Sequence, residues 1–143
     1  MARSRIRGLS PKLPLALDEQ DGYALNKTYK EMVSQNLKML ILTVPGERMM
    51  DPLFGVGLKR YLFEMNIASV HGALSAKIYE QVKRYLPFLD LEGVDFYTSE
   101  TNPELGDNYL HMVISYRIIP LDQTGILDVD LNSSALIRDV DCA

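Results

Sequence analysis

The hydrophobic period of this chain changes once, near Pro87. Before it, apolar residues recur every three to four positions; after it, they alternate. The first spacing gives a helix one buried stripe, and the second gives a strand one buried face. Helices followed by strands, without interleaving, imply an α+β fold. The expected architecture is three helices packed on a small, mainly antiparallel sheet.

The first helix carries Tyr29, Met32, Val33, Asn36, Leu37, Leu40 and Ile41 at helical spacing, so one stripe is mostly apolar. Asn26 or Thr28 is the expected cap. Thr28 and Glu31 have the spacing of a capping box, in which each side chain satisfies a backbone N–H of the other residue. Pro45-Gly46 stops this helix. Residues 47–58 read as an irregular loop running into a short helix that ends near Phe63. Asp51-Pro52 has the form of an N-cap followed by proline at the first helical position. A third helix is predicted from about Ile67 to Tyr85, with Val70, Leu74, Ile78 and Val82 on its apolar stripe. Leu86-Pro87 ends it, because a residue before proline avoids helical dihedrals.

Three strands follow in the sequence reading: Val94–Ser99, Tyr109–Ile119 and Leu127–Leu131. Turn residues lie between them, at Asn102–Asn108 and Leu121–Gly125. On the middle strand Leu110, Met112, Ile114, Tyr116 and Ile118 share one face, and the other face is half polar. Asp128 and Asp130 alternate with Leu127, Val129 and Leu131, which leaves one wet face. Before the first helix, Gly8, Pro11 and Pro14 argue against helix, and Leu13, Leu15 and Leu17 alternate. The expected organisation is a basic extended arm over residues 1–21, one domain over 22–131 and a tail over 132–143.

At 143 residues the chain has the size of one domain. Cys142 is its single cysteine, so no internal disulfide can form. The first residues are basic but lack the apolar centre of a signal peptide. No stretch approaches the ~20 apolar residues that span a bilayer. A cytoplasmic protein, or one assembled there into something larger, is expected. The net charge of -4 hides a basic start, with Arg3, Arg5, Arg7 and Lys12, and an acidic end. Without aromatic interleaving, that arm reads as a solvated or docking terminus, with no nucleic-acid role.

Signatures of catalysis are sparse. Gly55-Val-Gly57 begins the dinucleotide spacing, but Arg60 occupies the third glycine's place and no strand precedes it. His71 and His111 fall on different elements and have no metal-spaced partner, which suits ordinary boundary histidines. No cofactor, metal or small-molecule substrate is expected. Glu47 and Glu64 flank the short helix and form the one carboxylate pair worth weighing for glycoside hydrolysis, which requires a separation of about 5–10 Å. Glu47-Arg48 lies in an otherwise apolar loop, where a buried arginine would lock the loop to a carboxylate or to carbonyls. A lock of this kind needs no substrate.

The run Thr43-Val-Pro-Gly46-Glu47-Arg48, then Pro52-Leu-Phe54-Gly55, then Leu58 and Leu62-Phe-Glu64, resembles the signature of the lysozyme-like baseplate wedge family of contractile phage tails. Relatives of that family occur in type VI secretion and other contractile injection systems. The likeness extends over about residues 12–120, including the tyrosine of Ile114-Ser-Tyr116-Arg117-Ile118. It implies a structural, non-enzymatic subunit, six copies around the tail axis, that links the baseplate wedge to the first sheath ring and starts sheath polymerisation by strand addition. The implied partners are wedge core proteins and the sheath protein, with the tail tube as a further expectation, in a virion assembled in the host cytoplasm. Where the family often has Glu-Pro-Arg, which engages the wedge core, this chain has Leu86-Pro87-Phe88. Those three are wedge-core contact candidates, although Leu86 and Phe88 fit the domain's own core equally well. Tyr116, Arg117, Asp128, Val129 and Asp130 are sheath-docking candidates, with the acidic third strand as the edge. The alternative reading is a tail-associated muramidase that uses carboxylates such as Glu47.

Overall fold

A computed structural model describes residues 8–19, 22–61, 64, 67–97, 111–130 and 136–140. Arg3, Arg5, Arg7, Phe63, the turn Asn102–Asn108, Tyr109, Leu110, Leu131 and Cys142 lie outside the described residues. The chain divides into two compact units, residues 1–36 and 37–143.

The first unit holds two short antiparallel pairs and the start of a helix. β1 (Ser10–Pro11) pairs with β4 (Leu25–Asn26), and β2 (Leu17–Asp18) pairs with β3 (Gly22–Tyr23). Buried Asn26 ties this hairpin-like region together, its amide donating to Ser10 Oγ and Gln35 Oε1, each at 3.0 Å. Gln35 in turn donates to the Pro11 carbonyl and accepts from Leu13 N. α1 (Tyr29–Leu42) opens with the expected capping box. Glu31 N donates to Thr28 Oγ1, and Glu31 Oε2 accepts from Thr28 N and Lys27 N. Burial works to raise the Glu31 pKa, but these N–H groups, the Thr28 side chain and the charge of Lys12 outweigh it and lower the value.

The second unit begins with the last turns of α1 and continues through α2 (Leu58–Tyr61) and α3 (Ala68–Tyr85). Its sheet runs in the order β5 (Leu89–Tyr97), β6 (His111–Ile118), β7 (Gln123–Asp130), β8 (Leu136–Val140), antiparallel throughout. Leu37, Leu40, Ile78, Val82, Met112 and Ile114 are all buried in this unit, none more than 2% exposed. Burying each such side chain contributes roughly 1.5–3 kcal/mol before chain entropy is counted. The α+β architecture and the core-facing side of β6 are as the periods implied.

Several boundaries differ. Asp51-Pro52 does not start a helix; Phe54 N donates to the Asp51 carbonyl in a turn, and helix begins only at Leu58. The turn between β6 and β7 falls at Ile119–Asp122, ahead of the expected Leu121–Gly125. Asp122 takes the left-handed position there, at φ 48°. Gly125 is thereby free to lie in β7 directly opposite Tyr116. A Cβ on Gly125 would stand 2.5 Å from the Tyr116 ring, so the glycine makes room for a buried aromatic on the next strand. The stretch expected to be a tail contains β8.

His71 of α3 stacks on Phe96 of β5, with centroids 4.7 Å apart and planes 3° from parallel. Burial lowers the His71 pKa from its ordinary 6.5. A lowered value means that the unfolded chain binds protons more readily than the folded one. The associated stability is full above the unfolded pKa and is lost as pH falls through the folded value. Melting temperature is therefore expected to fall as pH drops from 7.5 to 5.5, with a further fall at lower pH as Glu31 protonates. His71→Phe, which keeps an aromatic on Phe96, should flatten the upper part of that profile. An unchanged profile in this variant would remove His71 as its source.

Candidate functional site

The loop between α1 and α2 carries the sequence signature, and a buried amide holds it. α1 ends as Thr43 N and Thr43 Oγ1 both donate to the Met39 carbonyl, the hydroxyl at 2.6 Å. The chain then turns back on itself. Val44 N donates to Glu47 Oε2 at 2.9 Å, and Glu47 N donates to the Val44 carbonyl at 3.0 Å. Gly46 N donates to the Pro52 carbonyl, and Val56 N donates to the Leu40 carbonyl. Between those contacts Gly55, at φ 108°, passes so close to α1 that a Cβ would lie 2.2 Å from the Thr43 carbonyl oxygen. No side chain fits there, which is why the signature ends in glycine.

Gln81 of α3 fastens this loop. It is 1% exposed. Its Oε1 accepts from Gly55 N at 3.0 Å, and its Nε2 donates to the Leu53 carbonyl at 3.2 Å. One side-chain amide thus satisfies two backbone groups of an irregular segment. No motif marks Gln81 in the sequence. The available signal was a polar residue on the buried face of α3, in line with Leu74, Ile78 and Tyr85.

Arg48 corrects an expectation. It is exposed, and it lies over the Phe54 ring, 4.6 Å from the centroid, with no carboxylate or carbonyl lock among the described residues. Glu47 supplies the lock instead, because its short side chain reaches Val44 N within a single turn. Phe54 meets Tyr85 edge to face at 4.9 Å, and Arg84 covers Tyr85 at 5.3 Å. The Tyr85 hydroxyl oxygen is buried without a hydrogen-bond partner in good geometry. Burial raises its pKa, followed by the effect of neighbouring Asp51, while the charges of Arg84 and Arg48 pull the other way.

The remaining candidates fall on the sheet and at its entry. Leu86 is buried, Phe88 is half-buried and Pro87 is exposed. Pro87, Tyr79, Lys83, Leu91 and Ile119 help line an open groove of about 740 Å³. Tyr116 and Val129 are core residues, 1% and 0% exposed. Arg117 reaches across to β5, to Asp90 at 3.2 Å and Glu92 at 3.7 Å. Asp128 pairs with His111 of β6. The backbone of Asp130 pairs with His111 on one side and Leu136 on the other.

β7 is therefore not an edge. It is bonded to β6 over its whole length and to β8 from Ile126 to Asp130. The expectation that Leu127–Leu131 ends the sheet fails because the chain returns after residue 135 and covers it. The outer strands are β5 and β8. β5 carries a bulge between Leu91 and Gly93.

Residues 27–121 match the model of the family described as baseplate wedge protein gp25. The chain belongs to this family. No curated protein matches it. Among solved structures it is similar to a chain of the six-fold symmetrised baseplate of the anti-feeding prophage, with a TM-score of 0.65 and 24% identity, over 76% of this chain and 83% of that one. It is also similar to a protein from Geobacter sulfurreducens that goes by the name of tail lysozyme, with a TM-score of 0.60 and 22% identity, over 78% of this chain and 99% of that one. Both share its fold. The matched span contains the whole Thr43–Gly55 loop and the α3 glutamine that holds it. Among the described residues no His, Cys, Asp and Glu cluster could hold a metal ion, and no helix is long and apolar enough to cross a membrane.

Gln81→Leu should leave Gly55 N and the Leu53 carbonyl without partners and cost roughly 2–5 kcal/mol. Arg48→Ala should cost only about 0.5–1 kcal/mol, the worth of an exposed cation–π contact. Denaturant titration of both variants checks the order. An Arg48→Ala loss larger than the Gln81→Leu loss would mean that the loop is held by its arginine after all.

Proposed function

We propose that this baseplate wedge protein links the wedge to the first sheath ring and starts the sheath by accepting a strand, with no catalytic step. The observation that carries the reading is the sheet order. β8 ends the sheet, and its outer row of N–H and C=O groups is available for pairing among the described residues. Strand addition uses such a row, with main-chain bonds for affinity and alternate side chains for choice. The other end of the sheet is less suited, because the bulge in β5 breaks its register and Asp90, Glu92 and Asp95 place charge along it. The acidic residues of β7 then act inside the sheet. They include Asp128, held by His111, while the docking row belongs to β8.

The groove beside Pro87 supports a second contact, with wedge core proteins. Leu86 is committed to the interior, which leaves Pro87, half-buried Phe88 and the exposed Tyr79 and Ile119 to meet a partner. The lost charges of the family's Glu-Pro-Arg fit a contact that is mainly apolar here. Six copies around a tail axis, with a contact to the tail tube, agree with the six-fold symmetry of the anti-feeding prophage baseplate. Assembly in the host cytoplasm goes with this role. The name of the Geobacter neighbour motivates the competing muramidase reading. Against it, Glu47 already accepts a backbone N–H that closes its own turn.

Two measurements test this. Proline placed at Ile137 and, separately, at Arg138 removes one inward and one outward donor of β8. The outward variant should keep its melting temperature and its place in baseplates while sheaths fail to grow, as seen by electron microscopy. Normal sheaths on particles carrying the outward variant would exclude β8 as the docking strand. In a peptidoglycan turbidity assay the purified protein should match buffer. Lysis that Glu47→Gln abolishes would replace the structural reading with an enzymatic one.

A further inference from the structure

The loop between α1 and α2 presents three apolar side chains outward. Met49 is 94% exposed and Met50 is 96% exposed, with Leu53 at 58%. Isolated exposed apolar residues are ordinary on any surface. Three on one short turn, held by the Glu47–Val44 bonds, the Gly46–Pro52 bond and the Gln81 amide, are a different matter. A loose loop could fold such side chains under itself, whereas this one is fixed in the outward arrangement. Methionine is also an adaptable contact residue, unbranched and polarizable.

Beside the methionines lies an ordered positive surface. Arg48 rests on Phe54, Phe54 meets Tyr85, and Arg84 rests on Tyr85. Both arginines are exposed. Among the described residues neither has a carboxylate within ion-pair distance. The nearby acidic groups are turned to other work. Glu47 accepts from Val44 N, and half-buried Asp51 lies by the Tyr85 hydroxyl. Stacking leaves a guanidinium's edge N–H groups free, in a fork that matches a carboxylate. On a chain of net charge -4, two such forks separated by two aromatic rings form a local basic site.

We propose that Met49, Met50 and Leu53, together with the Arg48–Phe54–Tyr85–Arg84 stack, form a docking surface for an acidic amphipathic segment of another baseplate protein. The segment's apolar side chains cover the two methionines. Its carboxylates take the forks of Arg48 and Arg84. The loop is pre-organised for this, so little ordering cost falls on this side of the contact. This surface shares no residue with β8 or with the lining of the Pro87 groove, and it rests on the chain's place in a baseplate.

The test uses assembled particles that carry a diazirine amino acid at position 49 or 50, with position 17 as an exposed control. Cross-linked peptides are mapped by mass spectrometry. The expected result is a cross-link from 49 and 50, but not from 17, to one segment of another baseplate protein with carboxylates beside apolar residues. Arg48→Glu should then reduce the cross-link about tenfold while the protein stays folded, its melting temperature lowered only by the lost Phe54 contact, and a carboxylate→Lys change in the captured segment should restore the cross-link without restoring that melting temperature. Cross-links to a second copy of this chain, to a basic segment or to lipid would overturn the proposal. So would particles that contain the protein but give no cross-link at either position. Particles that lack the protein altogether would sink the baseplate reading, and this surface with it.

Discussion

The buried amide of Gln81 is the contact on which the signature loop depends. A segment with turns at Val44–Glu47 and Asp51–Phe54 bonds to itself at those turns, yet Gly55 has to enter the core beside Thr43 with its own N–H still to be paired. Burying an unpaired backbone N–H there would cost about as much as a lost hydrogen bond, roughly 1–3 kcal/mol. Gln81 removes that cost by offering an acceptor and a donor from the same planar group. With Gly55 and Leu53 fixed, the position of Phe54 between them is fixed as well. The aromatic and cationic stack on Phe54 and Tyr85 then follows from covalent geometry.

The sheet obeys a similar economy of space. Tyr116 is a large side chain with its ring in the core, and Gly125 on the adjacent strand gives it the volume. That pairing sets the register of β6 and β7, and the register sets everything along both strands. It brings Asp128 to His111 and turns Val129 inward. On the opposite side Arg117 ties β6 to Asp90 and Glu92 across the bulged strand. The middle of the sheet is thus closed by its own contacts, and growth by strand addition can proceed only at an outer strand. In the reading proposed above, the start of a sheath falls to β8, a short strand.

Much of this was legible in the residues. The helical stripes of α1 and α3, the Thr28–Glu31 box, the stop at Leu86-Pro87 and the inward face of Met112, Ile114, Tyr116 and Ile118 follow from spacing alone. Each is a local matter, decided within four residues or by strict alternation. The Thr43–Gly55 signature was legible too, and its family match covers residues 27–121. What it did inside the fold was not. An arginine in an apolar loop suggested a buried lock to a carboxylate or to carbonyls, whereas the bond that closes the turn is made by Glu47.

Sequence by itself determined the order of the three helices and of β5, β6 and β7, the buried faces of α3 and β6, and the family, because periodicity and short motifs act over a few residues. Tertiary structure alone decided which polar side chain holds the signature loop and which strand ends the sheet. Gln81 meets Gly55 across 26 positions, and no local spacing encodes such a contact. β7 lost its edge to a strand whose own residues, Leu136–Val140, are too few and too mixed in polarity to declare themselves by alternation. Their partner is chosen by the open ladder of β7, a property of the folded sheet.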